Sequence, residues 1–259
     1  MKWKRIIEWI YDYPHKKGVL LHDKYKIDEV LGMGGYGIIY RCIVIGSNKN
    51  CVLKQLRPSK ARRTKEKERF HTETEIMRAI NHSQIPQLVD YFTINSQSYY
   101  VMQEVRGTNL EDVLFAQKRT FSEVDALLLV EKLLYILDYL HDKLIFHGDI
   151  RPPNIILHHE EIYLIDFGLA KQLDAHNKEE ILIKKQDDFF DLADILLFIL
   201  YSQYKGKRSR RKSWLEELTL SSGTVFFLKK LLGINEPYTN NDDIHKDLQL
   251  AIQALREEG

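Results

Sequence analysis

Between Gln103 and Gly107 the hydrophobic pattern of this chain passes from mostly short β-like runs to mostly helical spacing, and that change limits the fold more than any other feature. Before it, from Tyr25 to Val105, apolar residues come in short runs of β character: "YKIDEVLG", "IIYRCIVI", "CVLKQL", "QLVDYFTI" and "SYYVMQEV". Gly, Ser and Asn turns separate the first three, as in a meander. One helical stretch, 59–80, interrupts them, with Phe70, Ile76, Met77 and Ile80 as its apolar marks. After Gly107 helices dominate. Ser122 and Asp125 form a capping-box pattern that opens "ALLLVEKLLYILDYLH", where Leu127, Val130, Leu134, Leu137 and Leu140 recur at helical spacing. "DDFFDLADILLFILY" is apolar nearly all round, which predicts a central, buried helix. The expected class is α+β: an extension over 1–24, a β-rich part over 25–102, a link over 103–107 and a helical part over 108–259.

At 259 residues the chain can bury a sizeable core in one large domain or two small lobes. Its 44% hydrophobic and 29% charged residues fit a globular protein, and a net charge of +1 provides no global field toward nucleic acid or membrane. Two cysteines, Cys42 and Cys51, are too few for a disulfide framework or a structural zinc site, so a reducing, cytoplasmic setting is expected. They flank "IVIGSNKN" and are read as packing residues on neighbouring strands. The longest apolar run, Ile195–Tyr201, is far short of the roughly 20 residues that span a bilayer. "MKWKRIIEWIYDY" reads as an amphipathic helix, because Glu8 interrupts its apolar part and no small-residue cleavage site follows.

Three groups carry chemistry. In "LGMGGYG", glycines let the backbone approach a polyphosphate whose oxygens its N–H groups can cradle, although the string would also serve as a plain hairpin turn. Strands on both sides argue against a dinucleotide fold, where a helix begins inside the motif. Lys54 stands in an apolar strand, either at an exposed edge or buried with an anionic partner, and Glu73 on the expected helix could supply one. In "HGDIRPPNIIL", Asn154 and the later Asp166 offer the hard oxygens that magnesium takes alongside phosphate and water. A hairpin made with "IYLIDFG" would bring these two together. Asp149 remains to accept a proton from an attacking hydroxyl, and Arg151 can neutralise a transferring phosphoryl group. Each residue alone would read as a turn former; together and in this order they point to phosphoryl transfer.

From Tyr25 onward the chain resembles a bacterial eukaryotic-type (Hanks-type) Ser/Thr protein kinase. The resemblance implies a two-lobed fold, β-rich then helical, with ATP and Mg2+ in its cleft. It implies that Gly32, Gly34, Gly35 and Gly37 cover the phosphates, and that Lys54 and Glu73 form the phosphate-positioning pair. Ile39, Val52 and Ile156 would enclose the adenine, Met102 would be the gatekeeper, and backbone groups of Gln103 and Val105 would hold the base. Asp149 would be the catalytic base, Arg151 its cationic neighbour, and Asn154 and Asp166 the metal ligands. Asp188 would anchor the catalytic loop from the central helix, and Leu88, Met77, Phe167 and His147 would stack into a spine.

Departures from the family pattern bear on the acceptor. Gly148 replaces the arginine that gathers an activation-loop phosphate, which suggests activity not gated that way. Arg151 stands where a lysine is usual, a planar fork in place of a point charge. Asp188 comes only 22 positions after Asp166, with no Ala-Pro-Glu between them, and the late arginine that pairs with that glutamate is also absent. Losing both is coherent, since either charge alone would be costly to bury. His-Gly-Asp also occurs in aminoglycoside and choline kinases, so a small-molecule kinase is one alternative and a nucleotide-binding pseudokinase another. Gly34 and Gly168 favour the protein-kinase side. The basic stretches 57–69 and 205–212 read as solvated loops, with an acidic or anionic partner at 205–212 as the alternative. Thr64, Ser209 and Ser213 lie in basic surroundings as candidate autophosphorylation sites.

Overall fold

The computed structural model describes residues 12–206 and 211–258. The chain divides into two compact units, Met1–Val105 and Arg106–Gly259. Most of the expected N-terminal helix and the centre of the basic stretch 205–212 fall outside the described residues. Among the described residues no helix is long and apolar enough to cross a membrane.

The first unit is an antiparallel sheet of β1 (Leu20–Leu21), β2 (Tyr25–Met33), β3 (Gly37–Val44), β4 (Asn50–Leu56), β5 (Leu88–Ile94) and β6 (Gln97–Gln103). Their order in the sheet is β1-β2-β3-β4-β6-β5. Side chains alternate along each strand, so Tyr25 and Ile27, Ile38, Tyr40 and Cys42, Leu53, and Tyr99 and Val101 fall on one face and form a buried core with Phe92. Cys42 and Cys51 are direct cross-strand partners with buried free thiols, the packing role expected of them. The other face carries Val52 and Lys54 of β4 and their partners Met102 and Tyr100 of β6. Helix α1 (Thr64–Ala79) covers it, with the Phe70 ring 5.2 Å from that of Tyr100. The helix starts later than the periodicity suggests: residues 58–62 form turns. There Ser59 donates from N and Oγ to Asp12, at 2.8 and 2.9 Å, and so ties the chain ahead of the sheet to the loop before α1.

The second unit holds α2 (Leu110–Phe115), α3 (Glu123–Asp142), α4 (Lys178–Leu200), α5 (Trp214–Glu217), α6 (Ser222–Leu231) and α7 (Asn241–Glu258). Ser122 caps α3 in the expected box with Asp125. Two small sheets lie beside the helices: β7 (Thr108–Asn109), β9 (Ile155–His158) and β10 (Glu161–Leu164) in one, β8 (Ile145–Phe146) and β11 (Lys171–Gln172) in the other. Helix α4 buries Phe189, Leu192, Ala193, Leu196 and Ile199, as a central helix should. It is not buried on every side: Phe190 is 46% exposed and Asp194 is exposed. The dense apolar run obscures this split.

Gly107 enters β7 at φ +133, and a Cβ there would stand 2.3 Å from the Leu157 carbonyl oxygen of β9. A backbone atom that is itself part of a sheet cannot yield that distance. Gly107→Ala is therefore expected to destabilise the protein by about 2 kcal/mol or more, lowering the melting temperature by at least about 4 °C. Thermal denaturation checks this; an unchanged midpoint would show that β7 relaxes freely.

Candidate active site

The expected nucleotide elements of the first unit occupy one strip of its sheet. β2 and β3 are joined by the glycine-rich turn, closed by Gly34 N–H donating to the Gly37 carbonyl at 3.0 Å. Gly32 lies in β2, Gly35 at the turn and Gly37 at the start of β3. The ring of Tyr36 at the tip lies 3.9 Å from both Lys60 Nζ and the Arg69 guanidinium, so two cations hold the turn toward α1. Ile39 pairs with Lys54, and Val52 pairs with Met102, which places all four on the face that α1 partly covers.

Lys54 is buried. Its Nζ lies 2.6 Å from Glu73 Oε1, and the two side chains are only 5% and 4% exposed. Tyr100 Oη donates to the same carboxylate oxygen at 2.8 Å. Of the two readings of Lys54, the paired buried one holds. Removing either partner of such a pair costs roughly 3–5 kcal/mol, because the other charge is left uncompensated. At the end of β6, Gln103 N–H is taken up by the Gln87 carbonyl at 3.0 Å, so Gln103 can offer a ligand its carbonyl rather than its amide. The backbone N–H of the half-buried Val105 has no partner among the described residues. A carbonyl and an unpaired N–H two residues apart match the donor and acceptor edge of a purine.

The second unit gathers the polar residues of "HGDIRPPN" around α4. Asp188 is completely buried and accepts from His147 N at 3.1 Å, Gly148 N at 2.8 Å and His141 Nε2 at 2.9 Å. His147 donates Nε2–H to the Ile165 carbonyl at 3.2 Å and accepts from Asp149 N–H at Nδ1 at 3.3 Å, which assigns its tautomer. Burial holds its pKa below the ordinary imidazole value, so the ring is neutral. Phe167 stacks edge-on against it at 4.8 Å, the half of the expected spine that lies within this unit. Gly148 takes φ +67, a left-handed conformation that glycine adopts without strain.

A 3-10 turn at Pro152–Asn154 leads into the β9–β10 hairpin, and Ile165 N–H donates to the Asn154 carbonyl at 2.9 Å. The hairpin thus brings Asn154 and Asp166 to its open end, as its two strands suggest. Asn154 Nδ2 donates to the Asp149 carbonyl at 2.9 Å and to Asp149 Oδ2 at 3.0 Å. That leaves the Asn154 amide oxygen for a cation and Asp149 Oδ1 for a substrate. Asp166 sits at φ +65, a conformation Asp tolerates better than most residues, and its Oδ1 accepts from Gly168 N at 3.3 Å. Among the described residues no group of three or more His, Cys, Asp or Glu forms a metal cluster. One carboxylate and one amide oxygen nevertheless fit magnesium, which completes its shell with phosphate and water.

Asp149 and Arg151 open onto a cleft of about 1450 Å3 within this unit, shared with Asp191, Asp194 and Phe198 of α4. The side chain of Arg151 is exposed and has no hydrogen-bond or ion-pair partner among the described residues. Asp166 is followed by so few residues before α4 begins at Lys178 that no further helix intervenes. Ser213 caps α5 with Glu216, Thr64 opens α1, and Ser209 lies outside the described residues. Sequence reasoning misses Asp191; its only signal is an acidic residue one helical turn beyond Asp188, in a run that also carries Asp187 and Asp194.

The comparisons with known proteins agree with this geometry. The family model described as "Protein kinase domain" matches residues 25–188. A probable serine/threonine-protein kinase of Bacillus subtilis, YbdM, is 52% identical over 255 residues, which is 98% of this chain and 100% of that one. Serine/threonine-protein kinase B of a Synechocystis species is 35% identical over 164 residues, covering 60% of this chain and 28% of its own length. The kinase domain of Mycobacterium tuberculosis PknI, solved as a single-residue mutant, has the same fold, with a TM-score of 0.70 at 22% identity over 91% of this chain and 99% of that one. With an antiparallel β-rich unit followed by a helical one, and a catalytic loop tied by Asp188 to its central helix, the chain belongs to the protein kinase family.

Proposed function

We propose that this protein is an ATP- and Mg2+-dependent kinase that phosphorylates Ser or Thr hydroxyls of a protein, with Asp149 as the base. The observation that carries the reading is the Asp149 carboxylate: Asn154 holds Oδ2, and Oδ1 is open to an acceptor hydroxyl. Bound magnesium-ATP supplies the phosphoryl group and offsets the charge that develops on it. Asn154 and Asp166 would hold the metal. Lys54, kept in place by Glu73, would hold a phosphate under the N–H groups of Gly32, Gly34, Gly35 and Gly37. Ile39, Val52, Met102 and Ile156 would pack on the adenine, with Gln103 and Val105 bonding its edge. Asp149 Oδ1 would take the hydroxyl proton as the acceptor oxygen bonds to the γ-phosphorus and the bond from that phosphorus to the bridging oxygen breaks, releasing ADP, and Arg151 would stabilise charge on the phosphoryl oxygens.

The test is transfer of labelled phosphate from ATP to three acceptors: the protein itself, a generic basic protein, and a pool of small hydroxyl metabolites. Acid hydrolysis of the labelled protein is expected to release phosphoserine or phosphothreonine. Label confined to the metabolites would reassign the acceptor, which the short segment after Asp166 makes worth including. No label with ATP still bound would leave a nucleotide-binding module.

A further inference from the structure

Four consecutive backbone N–H groups of the catalytic loop end on side chains. His147 N and Gly148 N go to Asp188, Asp149 N goes to the His147 ring, and Ile150 N donates to Asp191 Oδ2 at 2.9 Å. Asp149 is thus bracketed by two residues tied to α4 through different carboxylates one helical turn apart. We propose that Asp191 is a positioning residue that, through the Ile150 N–H, fixes the backbone on the far side of Asp149 and so aims its carboxylate. This rests on the reading of Asp149 as base. Asp188 reaches only the near side; on the far side the Ile150 side chain is buried, and the bond to Asp191 sets the orientation of its peptide.

The surroundings of Asp191 make the bond sensitive to protonation. Burial, then the negative charges of Asp188, Asp149 and Asp194, push its pKa up to about 6 against the opposing Ile150 hydrogen bond. The lysines that share a cavity with it are engaged elsewhere, Lys171 with Glu180 and Lys184 with Asp187. On the cleft side Arg151, Glu111, Lys118, Arg119, Lys212 and Glu217 also line the space, and none is ion-paired with Asp191. Above about pH 6 the carboxylate is ionised and accepts more strongly; below it the bond weakens. The effect on stability has the opposite sign. A carboxylate whose pKa is raised on folding costs stability when ionised, and that cost shrinks as pH falls below about 6 and is gone below the ordinary value of 3.8.

The experiment measures phosphate transfer from about pH 5.5 to pH 8 for wild type, Asp191→Asn and Asp191→Ala, with ATP affinity and melting temperature recorded alongside. Asp191→Ala is expected to lower kcat by roughly 10- to 100-fold with KM for ATP nearly unchanged. Asp191→Asn keeps an acceptor for Ile150 N–H. It should stay within about fivefold of wild type near neutral pH, lose the wild-type decline around pH 6, and melt no lower than wild type. Wild-type kcat in the alanine variant, or an acid limb that persists in the asparagine variant, would overturn the inference. If the alanine variant does not fold, the asparagine pH profile decides. A wild type that transfers no phosphate while binding ATP sinks the kinase reading itself, and the inference with it, and is told apart by that control.

Discussion

Asp149→Asn is expected to give a folded protein that binds ATP and transfers phosphate about 10²- to 10⁴-fold more slowly than wild type. The substitution is nearly isosteric. Asn154 Nδ2 can still donate to the oxygen of the new amide, as it does to Asp149 Oδ2 at 3.0 Å. That contact turns the new NH2 group toward the acceptor, where a proton must be received and none can be. His147 does not replace the base, because it is completely buried and both its ring nitrogens are engaged. Single-turnover transfer of labelled phosphate, with ATP binding and melting temperature as controls, measures the effect. A variant within a few-fold of wild type would place the base elsewhere.

Among changes at the catalytic loop and its anchors, the largest loss of stability is expected from Asp188→Ala. Its carboxylate takes two backbone N–H groups and the His141 ring, in a position with no access to water. Truncation leaves three donors facing a small cavity, and water has no route to replace the lost acceptor. A deleted partner of a buried charge-assisted network costs about 3–5 kcal/mol, or roughly 10 °C in a chain of this size. Activity should fall as well, because Gly148 adjoins Asp149. Asp188→Asn keeps one acceptor oxygen and should fall between. Thermal unfolding of both variants tests this; a loss under about 1 kcal/mol from alanine would mean that the loop supports itself.

The difference between Asp188 and Asp191 shows where sequence reading stops. Both are acidic residues in the same apolar run, and only the family pattern singles out Asp188. Nothing in the run itself says which N–H each will meet. Asp191 follows Asp188 by one helical turn, so it points to the same side of α4, yet its partner, Ile150, is 41 residues away in the chain. The same limit applies to β1, β7, β8 and β11. With two residues each, they have no period to detect, and they exist because a neighbouring strand offers hydrogen bonds. The tie between Asp12 and Ser59, 47 residues apart, is of this kind too.

What the sequence determined by itself was whatever repeats or clusters locally. Short β-like runs set apart by turn residues wrote the antiparallel sheet, helical spacing and a capping box wrote α3, and the short distance from Asp149 to Asn154 put both in one loop whose hairpin also delivers Asp166. The burial of the Lys54–Glu73 pair, the exposed side of α4 and the assignment of every catalytic-loop N–H were decided only in the tertiary structure. The physical reason is that burial and hydrogen-bond satisfaction belong to pairs of groups distant in the chain. A single residue type carries the capacity for such a bond, and packing selects its partner.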